Sequence, residues 1–222
     1  MAKATKSSKG ASKSAAPAKR GAPVSAGRPS KAAPAKAAPK KAAPKNKFTP
    51  EQDTTMLEEF TLDSLKDIYY AEKAILKALP KMIKAATSQE LKDTFQEHID
   101  VTNGQISRLE EVFGIMGKKP QGKKCEAIEG IIAEAYSIIE DTEKGTMTRD
   151  CALIVAGQKV EHYEIATYGG LAQIARTLGK NDVAELFAQT LEEEKQADVN
   201  LTNVAESSIN MQAAEEGEGE ES

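Results

Sequence analysis

Residues 156–168 read AGQKVEHYEIATY, and the way they sit on a helix decides what kind of molecule this is. At helical spacing, positions three and four apart form a seam of Ile154, Gly157, Glu161, Glu164, Tyr168, Leu171, Ala175 and Leu178. Two carboxylates stand where apolar side chains belong. A solvated Glu would fall on the opposite face of the same helix. A Glu turned into a helical core loses its hydration and has to be protonated, paired or bound to a metal ion.

The same departure occurs twice more. One seam runs Leu65, Ile68/Tyr69, Glu72, Ile75/Leu76, Leu79, Met82/Ile83; another runs Val183, Phe187, Thr190/Leu191, Glu194, Ala197/Asp198, Leu201, Val204. Three helices with a Glu in mid-stripe bring their carboxylates to one level of a bundle, where four-helix bundles hold a pair of metal ions.

The rest of the chain supplies the bundle. A first long helix is expected from Thr49 as N-cap and Pro50 to about Ala86, kinked by Pro80 near Leu76. A second, about 88–116, starts at a capping box in Thr87-Ser88-Gln89-Glu90 and carries the stripe Leu91, Phe95, Ile99, Thr102, Ile106, Leu109, Phe113, Met116. Asp100 and Asn103 lie along one edge of that stripe and His98 along the other. His98 and His162 read as hydrogen-bonded residues of helix surfaces. A short amphipathic helix with Ile128, Ile131, Ile132, Ala135, Ile138 and Ile139 inward ends near Gly145. A fourth, about 148–178, closes at Gly179, and Asn181 caps a fifth, about 182–209. The fold expected is all-α: a ferritin-like four-helix bundle over residues 48–209 with a short extra helix in the central crossover.

In the di-metal pattern of such bundles, two helices each give one Glu and two each give Glu-x-x-His. Glu72 and Glu161 take the single places, Asp100-x-x-Asn103 the first pair and Glu194-x-x-Ala197 the second. Asp100 suits a hard metal, Asn103 is a poor neutral substitute for imidazole, and Ala197 offers no ligand. Asp198, a turn beyond Glu194, partly compensates. Glu164 shares the seam of Glu161 a turn from the expected height. The candidate ligands are therefore Glu72, Asp100, Asn103, Glu161, Glu164, Glu194 and Asp198. The other reading of the same residues is a set of buried acids that share protons and hydrogen-bond to Tyr69, Tyr70, Tyr163 or Tyr168.

Composition divides the chain sharply. Residues 1–47 hold eleven Lys, two Arg and six Pro but no acid, a charge of +13, whereas the remainder holds seventeen basic and thirty-four acidic residues, or −17. The first segment, with repeats such as AAPAK (32–36) and AAPKK (37–41), is expected to be a disordered arm for DNA or another polyanion; residues 210–222 are expected to be a disordered acidic tail. Gly27-Arg28-Pro29 has the form of a minor-groove hook. Cys125 and Cys151 are too few for a disulfide framework, and no apolar run reaches a membrane span, which together fit a cytoplasmic location, nucleoid-associated if the arm binds DNA.

The runs LKDIYYAEKAILKAL (65–79), His98 to Glu110, Cys125 to Glu143, QKVEHYEIATYG (158–169) and LEEEKQAD (191–198) resemble the YciE/YciF group of bacterial ferritin-like stress-response proteins. The resemblance covers residues 57–208 and leaves out both tails. It implies a rubrerythrin-like bundle, commonly a homodimer, with a di-iron or di-manganese site and a link to stress. The reaction it implies, if the protein is an enzyme, is oxidation of Fe(II) by oxygen or peroxide. Where relatives look like Glu-x-x-His, this chain has Asp100 and Asn103. The rival is a non-catalytic protein with a degenerate site, whose two basic arms bridge DNA.

Overall fold

A computed structural model describes residues 54–216. The readings of the basic arm, of Thr49 and Pro50, and of residues 217–222 lie outside the described residues. Helix α1 (Met56–Ala85) opens at a reciprocal box: the Thr55 side chain accepts from the Glu58 amide while the Glu58 carboxylate accepts from the Thr55 amide. It runs unbroken through Pro80, which faces solvent. Helix α2 (Gln89–Ile115) is capped by Ser88 rather than by a box at Thr87 and Glu90. Its entry is held from elsewhere in the chain. The buried Asp150 carboxylate accepts the amides of Thr87 and Ser88 at 2.8 and 2.6 Å.

Helix α3 (Glu126–Asp141) occupies the central connection, and the Arg149 guanidinium donates to the carbonyls of Ile139 and Thr142 at its end. Helix α4 (Met147–Thr177) ends at Gly179, whose φ of 71° is the left-handed turn that glycine adopts without strain. Helix α5 (Asn181–Val204) begins with Asn181 inside the helix; Lys180 stands at the cap and offers no side-chain bond, so Asn181 is not the cap.

The expected boundary at 209 is corrected. The chain continues from α5 through a π-helical turn (Ala205–Ile209) into α6 (Asn210–Glu215). The Glu216 carboxylate then accepts the amides of Met147 and Thr148 at 2.6 and 2.8 Å. A helix N-terminus leaves amides without partners and favours negative charge, so the first part of the acidic tail folds as a cap for α4.

No strand occurs among the described residues. Helices α1 and α2 form one hairpin and α4 and α5 another, while contacts of α2 with α5 and of α1 with α4 close the four-helix ring; α3 lies against α1 and α4. The core is the apolar set foreseen for α1, α4 and α5: Leu65, Ile68, Ile154, Phe187 and Leu201 are all but fully buried. Gly157 brings α4 close to its neighbours just before Glu161. A Cβ there would meet the Leu201 side chain at 3.1 Å and the Phe95 ring at 3.4 Å.

Candidate metal centre

Glu72 of α1, Glu161 and Glu164 of α4 and Glu194 of α5 are all buried, at 0 to 4 % exposure, in the middle of their helices. Each points inward because it occupies a seam position flanked by apolar residues two turns either way: Leu65 and Leu79 for Glu72, Phe187 and Leu201 for Glu194. The fourth helix adds His98, which is 7 % exposed. One ligating atom from each of His98, Glu161, Glu164 and Glu194 lies within 4.8 Å of the others. Glu72 adjoins this group, its charge acting on both Glu161 and Glu164.

The hydrogen bonding of these side chains is incomplete. Glu72 Oε1 accepts from the Tyr168 hydroxyl, and Glu194 Oε1 accepts from the Gln105 amide. Glu72 Oε2, Glu161 Oε2, Glu194 Oε2, both oxygens of Glu164 and His98 Nε2 are buried without a hydrogen-bond partner. Unpaired buried polar atoms cost about 1–3 kcal/mol each, and short of a cation only protons shared between the acids, Glu72 with Glu164 and Glu161 with Glu194, would relieve them, which is not what a core built for stability alone would keep.

Without a cation the acids must hold protons. Burial, with the charge of Glu194 second, pushes Glu72 up to about 8. Burial lifts Glu194 to about 7 and raises Glu161 and Glu164 well above the usual carboxylate range. His98 goes the other way, to about 4, because burial disfavours the imidazolium. The 3.7 Å approach of His98 Nε2 to Glu161 Oε1 is thus not an ion pair at neutral pH. A neutral imidazole and four carboxylates form an oxygen-rich donor set with one nitrogen, the chemistry that hard and borderline divalent ions take. Around this set, Arg108 is fixed by Thr190 at 2.6 Å and by Glu193 at 2.8 and 2.9 Å, and Tyr168 is wholly buried beside Phe187.

Two candidate ligands and one exclusion are corrected. Asp100 and Asn103 are exposed, and the Asn103 amide donates to the Ile99 carbonyl of its own helix, so neither reaches the cluster. His98, read as a surface residue, is inside. The inward line of α2 is Phe95, His98, Thr102, Gln105, Leu109, Val112, with Ile99 and Ile106 half-buried at its flank. The more apolar line through Ile99 and Ile106 differs from it by a rotation of about one residue. The strict three-four spacing of His98, Thr102 and Gln105 between Phe95 and Leu109 was the available signal. Asp198 is half-buried at the edge, accepting from Gln158 and lying 3.4 Å from His162, which is exposed as expected. The Glu-x-x-ligand spacing falls on α4, as Glu161 and Glu164, not on α5. Of the tyrosines, Tyr168 alone bonds a cluster acid; Tyr69, Tyr70 and Tyr163 turn to Glu110, Glu129 and Cys125.

An antiparallel ring of four helices with a short helix in its central crossover, and acids from three of them converging with a histidine from the fourth, defines a ferritin-like bundle with a candidate metal centre. Within that class the chain belongs to the family described as a domain of unknown function, DUF892, which matches residues 56–214. It is 44 % identical over 158 residues to Protein YciF of Escherichia coli, covering 71 % of this chain and 95 % of that one. Among solved structures it is similar to the E. coli stress protein YciF, at 44 % identity and a TM-score of 0.67 over 70 % of this chain and 98 % of the other. It is also similar to YcfI of Rhodopseudomonas palustris, at 43 % identity and a TM-score of 0.65 over 71 % and 99 %. A Xanthomonas campestris protein at 20 % identity and a TM-score of 0.58 shares the fold, over 72 % of this chain and 98 % of that one. No described helix is long and apolar enough to cross a membrane.

Proposed function

We propose that this chain is a cytoplasmic stress-response protein whose bundle core binds a pair of divalent transition-metal ions, iron first and manganese second. The observation that carries the reading is the set of six buried, unpartnered ligand atoms on Glu72, His98, Glu161, Glu164 and Glu194. Four carboxylates balance two divalent charges, and a metal would replace the protons that burial otherwise forces onto them. Bound iron would supply oxidation of Fe(II) by dioxygen or peroxide. The chain's own contribution is to orient the ligands. Tyr168 holds one oxygen of Glu72 and Gln105 one of Glu194, leaving the second oxygen of each turned to the shared space. Protons displaced from the acids leave on binding.

The experiment is anaerobic loading of the purified chain with Fe(II), desalting and metal analysis, beside the Glu161→Ala/Glu194→Ala double variant. The expected result is about two irons per chain, lost in the variant, with oxidation on admitting air. A folded wild-type chain that retains no iron or manganese would refute the reading.

A second reading rests on the +13 charge of residues 1–47 against −17 elsewhere. The arm is suited to hold the protein on DNA, where consumption of iron and peroxide would protect it; with a site that no longer turns over, the same arm on a homodimer would serve to bridge DNA. Steep loss of DNA binding with salt, unaffected by the double variant, is expected of either form.

A further inference from the structure

Ala197 lies three residues beyond Glu194 on α5, and its short side chain lines a gap between α2 and α5. A cavity of about 150 Å³ fills that gap. Its outer wall includes the exposed Glu97 and Gln196, and its inner wall is formed by His98 and Glu161. Thr94 of α2 and Ala197 of α5 both line it. The unpartnered Nε2 belongs to a His98 that is 93 % buried and lines this cavity. The space therefore leads from solvent to the cluster itself.

We propose that this cavity is the entrance through which hydrated divalent cations reach the carboxylates. The inference rests on the metal-binding reading above and adds the route. Its size accommodates an ion with several waters, each taking about 30 Å³. Its mouth carries the Glu97 carboxylate, and the amide-bearing Gln196 beside it can replace lost hydration. A second cavity that also touches His98 and Glu161 is unsuited: about 30 Å³, with those two residues as its only polar lining against Ile75, Leu79, Phe95 and Ile132. An ion crossing it would lose its water shell without exchange.

The test is the rate of uptake of Co(II), which is coloured and stable in air, by the full metal-free chain in a stopped-flow spectrometer, with final stoichiometry measured separately. Ala197→Phe and Thr94→Phe plug the space from opposite helices. Ala197→Cys, capped reversibly with a bulky disulfide-forming reagent and compared with wild type treated alike, plugs it without altering how the chain folds. Uptake slowed on the order of tenfold in the plugged proteins, at unchanged final stoichiometry and with recovery on reducing the capped cysteine, is the expected result. Wild-type uptake rates in every plugged protein that still loads fully would overturn the entrance while leaving the metal centre in place. A wild-type chain that binds no Co(II) at equilibrium would instead remove the centre, and the entrance with it.

Discussion

His98 and Asp100 are two positions apart on α2, and their fates separate what sequence pattern can see from what packing decides. Asp100 matches the expected ligand spacing and faces solvent; His98 lies one position off the more apolar line and faces the cluster. Asp100→Ala and Asn103→Ala are therefore expected to retain full metal stoichiometry, while His98→Ala and Glu164→Ala lose at least part of it; metal analysis after desalting decides. The titration of the same side chains gives a second expectation. In the chelator-treated chain, Glu72 at about 8 and Glu194 at about 7 keep protons that the unfolded chain, near 4.5, has released. Stability then falls as pH rises from about 4.5 toward 8. His98, at about 4 in the fold against 6.5 unfolded, acts oppositely below 6.5, so the carboxylates are unopposed from 6.5 to 8. Each group protonated only in the fold costs about 1.4 kcal/mol per pH unit there. The melting temperature of the metal-free chain should drop across that window, less steeply in Glu72→Gln, and added divalent metal should reverse the trend because it binds the ionised acids. A flat profile in the wild type would contradict the burial of these acids without cations.

At the scale of elements, the helices whose seams mix apolar residues with a single acid were legible and their ends were not. Leu65, Glu72 and Leu79 on α1 and Phe187, Glu194 and Leu201 on α5 keep their rotation because long apolar side chains on both sides allow no other. The bracing of the turn into α2 was not legible because it comes from Asp150, more than sixty residues on, and the helical continuation past 209 was not, because its cap partner is the start of α4. Periodicity reports which face a helix buries; it carries nothing about a carboxylate arriving from another turn. Asp150→Ala would leave two amides at the α1–α2 corner to water alone, and because Thr87 and Ser88 are only half-buried the total cost is about 1–3 kcal/mol. Thermal melting should shift down by about 2–12 °C in a chain of this size, with metal stoichiometry unchanged because the corner lies at one end of the bundle and the cluster at its middle. Loss of metal on equal footing with loss of stability would mean instead that the corner sets the position of α2 at His98.

For the whole molecule, the governing fact is that one chain carries +13 in its first 47 residues and −17 in the rest. If residues 1–47 bind DNA as proposed, opposite charge within one chain would set the phosphates in competition with the chain's own acids. Salt screens both, with a Debye length of about 10 Å at 0.1 M, yet counterion release is specific to the polymer with its condensed ion layer, which makes DNA the stronger competitor. The log of the DNA association constant should therefore fall linearly with log salt, with a slope no steeper than about −12, the limit when all thirteen charges meet phosphates. A smaller slope counts the charges retained by the acidic body. Removing residues 1–47 should abolish retention in a gel shift, and the Glu161→Ala/Glu194→Ala variant should bind as wild type, since buried carboxylates present no charge to DNA. Undiminished binding by the truncated chain would assign DNA contact to the bundle surface and leave the arm without this role.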